Sequence, residues 1–393
     1  MDGVRPAGWR RAAVVAALML AAFTFNTTEN LPVGLLSAMA ADLGVSPGAV
    51  GALVTGYGLA VAVVSLPFAR VTRSVPRRHL LTGLLGLLAL ASWASALHDV
   101  SYGLLMGARV VTAVAQAAFW VLMGPVAVGL FPPERRGRVM GLLSVGGSLA
   151  TVLGVPGGTW LGGHSGWRAP FGVLGALALV SLVVVAALLP TSRPQESHAA
   201  YGAAPDRRRF LVVVSATALS VTGVFTAFTY VAVLLQDVGG FGAGAVSGVL
   251  FAFGAAALAG VAVTGPLLDR FPRATLSVPL ATQATALLGL YAGAGSRVAS
   301  VALLMLLGAS VAPVFMATQS QVLRVAPGRT ETALAANSVA FNVGVAFGAL
   351  LGGVLLPGVG VRGLFLVGGL LTVGALAGPA WPARRLVPLP GHP

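Results

Sequence analysis

The 393-residue chain holds ten acidic residues, and one of them falls inside a long apolar run. Glu29 lies in FNTTENLPVGLL, whereas Asp2, Asp42, Asp99, Glu134, Glu196, Asp206, Asp237, Asp269 and Glu331 lie in loops, termini or the ends of apolar runs. An ionisable group at membrane depth costs about 2.5–3.5 kcal/mol on insertion scales, so it is rare, faces inward and is normally functional. A carboxyl there can take a proton from one side and release it to the other. The alternative is a structural glutamate held by Asn26 or Asn30 on the same helix face. Pro32 follows closely, and a proline there breaks the helix locally and frees carbonyls to line a cavity.

Arg109 is the one cation within an apolar run. At helical spacing it shares a face with Thr112, Gln116 and Trp120, a polar stripe suited to a wet interior. Two readings stand for Arg109. It is a fixed positive charge that biases the proton site or holds an anionic or polar substrate, or it snorkels to the nearer interface. Later runs offer Thr222, Phe225, Thr226, Thr229 and Tyr230, then Met316 and Gln319, then Asn337, Phe341 and Asn342. Aromatics and methionines with a few amides and hydroxyls suit a mostly apolar ligand, so these are expected to line a substrate cavity with Asn26, Asn30, Gln116 and Trp120. The Gly-rich runs lack the Gly-Lys-Ser/Thr pattern of nucleotide-binding loops, and no clustered acids or histidines suggest a metal, a cofactor or a nucleophilic triad. An enzyme is therefore not expected.

Glycines recur every fourth residue at Gly154, Gly158 and Gly162, with Pro156 between, and at Gly344, Gly348 and Gly352. Small residues at this spacing let helix backbones approach closely. They are expected to give a smooth contact along which two halves of the molecule pivot.

These residues need elements to hold them, and composition says which. Hydrophobic residues make up 57% of the chain and charged ones 9%, against about 25% charged in a soluble domain. Mean hydropathy is +0.91. A soluble fold, a disordered chain and a nucleic-acid-binding domain are excluded, and the net charge of +14 needs another explanation. No cysteine is present, so no disulfide or thiolate site forms. All 24 basic residues are arginine, which fits codon bias rather than chemistry.

The apolar runs are long and do not alternate, so they read as membrane-spanning helices. The expected spans are 12–37, 47–69, 80–97, 101–126, 138–161, 168–189, 210–235, 244–268, 274–292, 298–322, 331–355 and 362–381. With the N-terminus in the cytoplasm, 20 arginines fall inside and three outside (Arg168, Arg297 and Arg362). That asymmetry predicts twelve spans with both termini cytoplasmic, in the cell membrane. A rival reading takes the first run, with Arg10-Arg11 before it and SAMAA after it, as a cleaved signal peptide.

The segment 190–209 is rich in Pro, Ala, Ser and charge and reads as a cytoplasmic linker between six-helix bundles at 1–189 and 210–393. A shift of 194 residues superposes Pro133 on Pro327, Arg135 on Arg329, Ser144 on Ser338, Gly154 on Gly348, Gly158 on Gly352, Arg168 on Arg362, Phe171 on Phe365 and Gly175 on Gly369. A parallel six-helix repeat implies a site between the bundles near the midplane, opened alternately to each side.

The chain resembles a major facilitator superfamily transporter over essentially its whole length. GPLLDRFPRA (265–274) resembles the family's loop motif, with Gly265, Asp269 and Arg270 matching, whereas LPFARVTRSVPRRHLL (66–81) keeps arginines but has no acid. Arg109 matches a fourth-helix arginine that the family links to proton transfer. LATVLGVPGG (149–158) resembles the fifth-helix antiporter motif with Pro156 displaced, and TTENLPVGLL (27–36) resembles the first-helix signature of the drug/proton antiporter branch. Chloramphenicol-efflux and arabinose-efflux-like exporters are similar. The resemblance implies a proton-coupled antiporter that exports small amphipathic compounds, chloramphenicol-like antibiotics among them. A sugar or self-made metabolite is the alternative cargo, and a membrane receptor on a transporter scaffold the alternative class. The expected partners are a small-molecule substrate, protons and the lipid bilayer, with the chain a monomer that binds no nucleic acid.

Overall fold

The computed structural model describes residues 8–71, 75–132, 136–190, 205–268, 270–328 and 330–377. Asp269 and most of the segment 190–209 lie outside these residues.

A chain with this little polar surface must satisfy its amides internally, and it does so entirely as helix among the described residues. Twelve passes result. They are α1 (Gly8–Leu43), α2 (Pro47–Val71), α3 (Arg77–Ser95), α4 (Tyr102–Gly129), α5 (136–165), α6 (Ala169–Leu188), α7 (207–238), α8 (243–267), α9 (Ala274–Gly293), α10 (Arg297–Val325), α11 (330–359) and α12 (361–377). The protein is an all-α multi-pass membrane protein of twelve helices. Among the described residues, nine helices are long and apolar enough to span by composition, and the last of them contains both α11 and α12. The short α3 and α9 fall below that mark because one opens with Arg77-Arg78-His79 and the other carries Thr275, Ser277, Thr282 and Gln283.

Local chemistry sets the turns. Ser46 caps α2, its Oγ accepting from Ala49 N at 3.2 Å. Asp206 caps α7, accepting from Arg209 N at 3.0 Å. Gly166 ends α5 and Gly360 separates α11 from α12, both with φ in the left-handed region (84° and 67°). Glycine alone adopts that conformation without penalty. The two positions lie 194 residues apart, so the repeat read in the sequence extends to its turns. Arg168 and Arg362, also 194 apart, serve matching places. Arg168 Nε donates to Leu97 O at 2.9 Å, and the Arg362 guanidinium lies against Gly295, each in the turn after the third pass of its half.

The helices have two ends, a near end that carries Gly8 and Ala377 and a far end with the turns around residues 44, 166, 240 and 360. At the near end the apolar cores are separate. One gathers Leu18, Leu85, Phe119 and Val185 from the first six passes. Two others gather Leu276, Leu280 and Val314, and Val213, Val322 and Ala333, from the last six. Toward the far end the cores are shared. Val33, Val54 and Val155 join Val231, Leu250 and Phe253, while Leu31, Leu53 and Phe171 join Tyr230 and Leu364. The halves are thus welded toward the far end and parted at the near end.

Glycines tighten two of the helix pairs that form the weld, and neither pair uses the glycine rows expected to do so. On α2, Gly48 faces Gly353 of α11, Gly58 faces Asn342 and Ala346, and Gly51 receives the Tyr230 hydroxyl. On α8, Gly254 lies against the backbone of Thr151 and Val152 in α5. Gly154, Gly158 and Gly162 instead contact Thr27, Leu31 and Leu35 of α1, and Gly344, Gly348 and Gly352 contact Ala218, Thr222 and Thr226 of α7. The expected pivot surface is therefore close packing inside each half. Spacing marks a face for close approach but not the neighbour that approaches.

Candidate functional site

α1 is one continuous helix through Pro32, so the expected break does not occur. The proline nevertheless acts locally. It has no N–H to give to the carbonyl four residues earlier, so Thr28 O loses its helical donor. Arg109 from α4 takes that place, donating Nη1 to Thr28 O and Nη2 to Glu29 O, the second at 2.7 Å. Its guanidinium carbon also sits 4.4 Å from the centre of the Tyr57 ring on α2. Arg109 is 1% exposed. Snorkelling is excluded, because the side chain runs into the bundle.

Glu29 is half-buried, with its carboxylate held from α4. Gln116 Nε2 donates to Glu29 Oε2 at 2.5 Å, and the Tyr57 hydroxyl donates to Gln116 Oε1 at 2.5 Å. No ion pair joins Arg109 to the Glu29 carboxylate among the described residues, so the two charges act on each other through space. Asn26 and Asn30 do not hold the glutamate as the structural alternative required. Asn26 Nδ2 donates to Gly147 O on α5 at 3.1 Å, and Asn30 Nδ2 donates to Asn26 O at 3.0 Å. Trp120, the last member of the α4 stripe, is 38% exposed and its ring edge borders Gly147 beside Asn26.

The site abuts a local irregularity. Residues Ala150–Gly154 of α5, within the stretch resembling an antiporter motif, form a π-helical turn. Gly154 lies against the Thr27 side chain, so any larger residue would overlap it. Such turns displace a helix by one residue and concentrate at functional sites. Pro156 follows in the buried first turn of the resumed α-helix.

The second half brings no charge to this region among the described residues. Phe225, Met316, Gln319 and Phe341 are half-buried, and Phe341 meets Phe315 edge to face at 4.9 Å. Other expected cavity residues are placed differently. Thr226 and Thr229 are fully buried and spend their hydroxyls on carbonyls of their own helix, at 2.7 and 2.6 Å. Tyr230 is fully buried where α7 breaks its helix, its hydroxyl donating to Ala349 O at 3.2 Å beside Gly51 of the other half. Asn337 is fully buried and accepts from Thr217 at 2.8 Å. These four fix helices rather than line open space, because a hydroxyl or amide sunk among apolar helices bonds to the nearest backbone or side-chain partner. Arg270 is exposed, and Asp269, the other charged residue of that loop motif, lies outside the described residues.

Neither Tyr57 nor Gly48, Gly51 and Gly58 stands out in the sequence as a functional residue. The signal available for Tyr57 was a phenol between Gly56 and Gly58 in an otherwise apolar run.

A welded far end, a parted near end and a charged network in one half define a secondary transporter that works by alternating access. The sequence profile of the Major Facilitator Superfamily matches residues 18–329 and 213–392, and the chain belongs to that family of transporters, which are not enzymes. The fold is similar to a crystal structure described as that of a bacterial homolog to the human lysosomal transporter Spinster, in an inward-facing and unoccupied conformation. The TM-score is 0.76 at 14% identity, covering 95% of this chain and 97% of that one.

Proposed function

We propose that the protein is a proton-coupled antiporter that carries small amphipathic compounds out of the cytoplasm. The observation that carries this reading is Glu29, a half-buried carboxylate at membrane depth, gripped by Gln116 and backed by the buried Arg109. A carboxylate that is only half-buried can be claimed in turn by a proton and by a substrate. Mutual exclusion at one group gives exchange when only the loaded carrier changes state. The near end is the cytoplasmic one by the arginine count, so the parted cores belong to a state open to the cytoplasm.

The surroundings favour a neutral or cationic substrate with an apolar body. Arg109 is committed to carbonyls of α1 and to the Tyr57 ring, which leaves little positive charge to offer an anion. Phe225, Phe341 and Met316 supply apolar wall, and Asn26, Gln319 and Trp120 supply a few polar edges.

Purified protein in vesicles with an imposed pH difference, offered a panel of neutral, cationic and anionic compounds, tests this. Uphill movement of a neutral or cationic compound, lost in Glu29→Gln, is expected. If Glu29→Gln still concentrates the compound when driven only by the pH difference, coupling does not run through Glu29.

A further inference from the structure

Tyr57 stands at a crossing. One face of α2 turns this ring toward Arg109 and Gln116, and the adjoining face lays Gly51 and Gly58 on the second half. We propose that the Tyr57 hydroxyl carries the protonation state of Glu29, through Gln116, to the seam between α2 and α11. The proposal rests on Glu29 being the site that takes the proton.

Hydrogen-bond chemistry gives the chain a direction. A carboxylate can only accept. Gln116 must therefore turn its NH₂ to Glu29, which leaves its carbonyl oxygen facing Tyr57. Tyr57 must then donate, and the whole chain points at the carboxylate, as the contacts show. A protonated Glu29 has a hydrogen of its own to give. When the proton sits on Oε2, the oxygen that Gln116 contacts, the amide receives it by presenting its own oxygen, and its NH₂ then points to Tyr57. The phenol oxygen becomes an acceptor, and the phenol hydrogen must find another partner. One proton on that oxygen thus reverses every donor and acceptor up to α2. Tyr57, Arg109 and Gln116 are all more than 95% buried, so no bulk water is at hand to absorb the change. Arg109 from α4 and Tyr57 from α2 are the charged or titratable groups that bear on Glu29 among the described residues.

The consequence falls on the seam because Tyr57 precedes Gly58 directly. Gly58 lies against Asn342 and Ala346 with no room for a methyl group, so a small rotation of α2 is felt by α11. Tyr57 is in this sense a positioning residue and touches neither proton nor substrate.

The chain has no cysteine, so a pair introduced at Leu142 and Val263 gives clean nitroxide labels at the near ends of α5 and α8. Label distances are followed against pH in the full-length protein, and infrared difference spectra follow the Glu29 carboxyl band, identified by its loss in Glu29→Gln. In the parent, the band and the distance distribution should shift together. In Tyr57→Phe, which keeps the ring over Arg109, the band should still titrate while at least three-quarters of the pH-driven distance shift is lost. Gln116→Met, similar in size but unable to pass the bond on, should behave alike. A full distance shift in both variants would overturn the relay and leave the proton site standing. A parent in which no band titrates would overturn both readings. Melting curves within a few degrees of the parent show that the variants are folded.

Discussion

At the level of single residues, the pairing of Pro32 with Arg109 explains how a guanidinium can be sunk in a membrane protein without an ion pair to the acid beside it. The proline strips one carbonyl of its helical donor, and the arginine satisfies that carbonyl together with the next. Leaving such an acceptor bare costs about 1–3 kcal/mol. Arg109→Lys keeps the charge but loses the planar fork that reaches two oxygens at once. It is expected to cut the initial rate of pH-driven transport at least tenfold, whereas Arg297→Ala, in an outer turn where Arg297 bonds Gly239 O and Gly240 O, should keep more than half of it. Equal losses would show that Arg109 has no special part in transport. Pro32→Ala returns an N–H to α1 that competes for Thr28 O. The variant should fold, with a melting temperature no lower than the parent's, yet transport several-fold more slowly. Parental transport rates would mean that Glu29 O and the Tyr57 ring suffice to hold the arginine. Glu29 and Arg109 were legible in the sequence because a charge in an apolar run contrasts with everything around it. Tyr57 was not, since a phenol among apolar neighbours stands out little until the partner for its hydroxyl is known.

Among the helices, α2 and α5 carry two kinds of glycine contact with different consequences. Gly158 lies on Leu31 of its own half, with an added Cβ only 2.6 Å from that side chain. Gly158→Leu should therefore lower yield and melting temperature without favouring either open state. Gly51 lies on Tyr230 of the other half. Gly51→Ala should leave each half intact and loosen the far-end weld. Nitroxides at positions 97 and 298, exposed on opposite halves of the far end, should then report a larger share of long distances. An unchanged distribution would show that Tyr230 yields without moving the halves. The periodicity of the glycines was visible in the sequence, but their partners were not. A four-residue repeat fixes one face of a helix, and only the assembled bundle decides what that face meets. The spans themselves were legible to within a few residues, because hydrocarbon thickness dictates their length. The exception is α1, which continues to Leu43, where Asp42 at its end accepts from Trp167 Nε1 at 3.0 Å and pairs with Arg168 at 2.7 Å.

For the molecule as a whole, arginine placement predicts which end meets the cytoplasm. Single cysteines at positions 75 and 205 should be shielded from impermeant reagents in intact cells, and those at 98 and 164 should react. Labelling of position 75 from outside would reverse the orientation and turn the parted near end outward. The repeat at 194 residues was readable from matched Arg, Pro and Phe residues, and it returns in the paired turns at Gly166 and Gly360. Its limit lies in the chemistry. The half that holds Glu29 and Arg109 has no charged counterpart at the matching positions, Gly223 and Leu303. Symmetry of backbone thus predicts the scaffold and leaves the active network to one side.

The shared cores toward the far end have a mechanical consequence. Two rigid bodies joined near one end form a lever, and displacement grows with distance from the fulcrum. A shift at Gly58 too small to change its contacts by much becomes a wide swing at the ends of α5 and α8, some 15 residues and about 20 Å along the helix axis from the joint. The protein gains amplitude in exchange for force. A ligand wedged at the near end would hold the halves apart with little effort, while the same ligand pressed into the joint would have to work against the full stiffness of the weld.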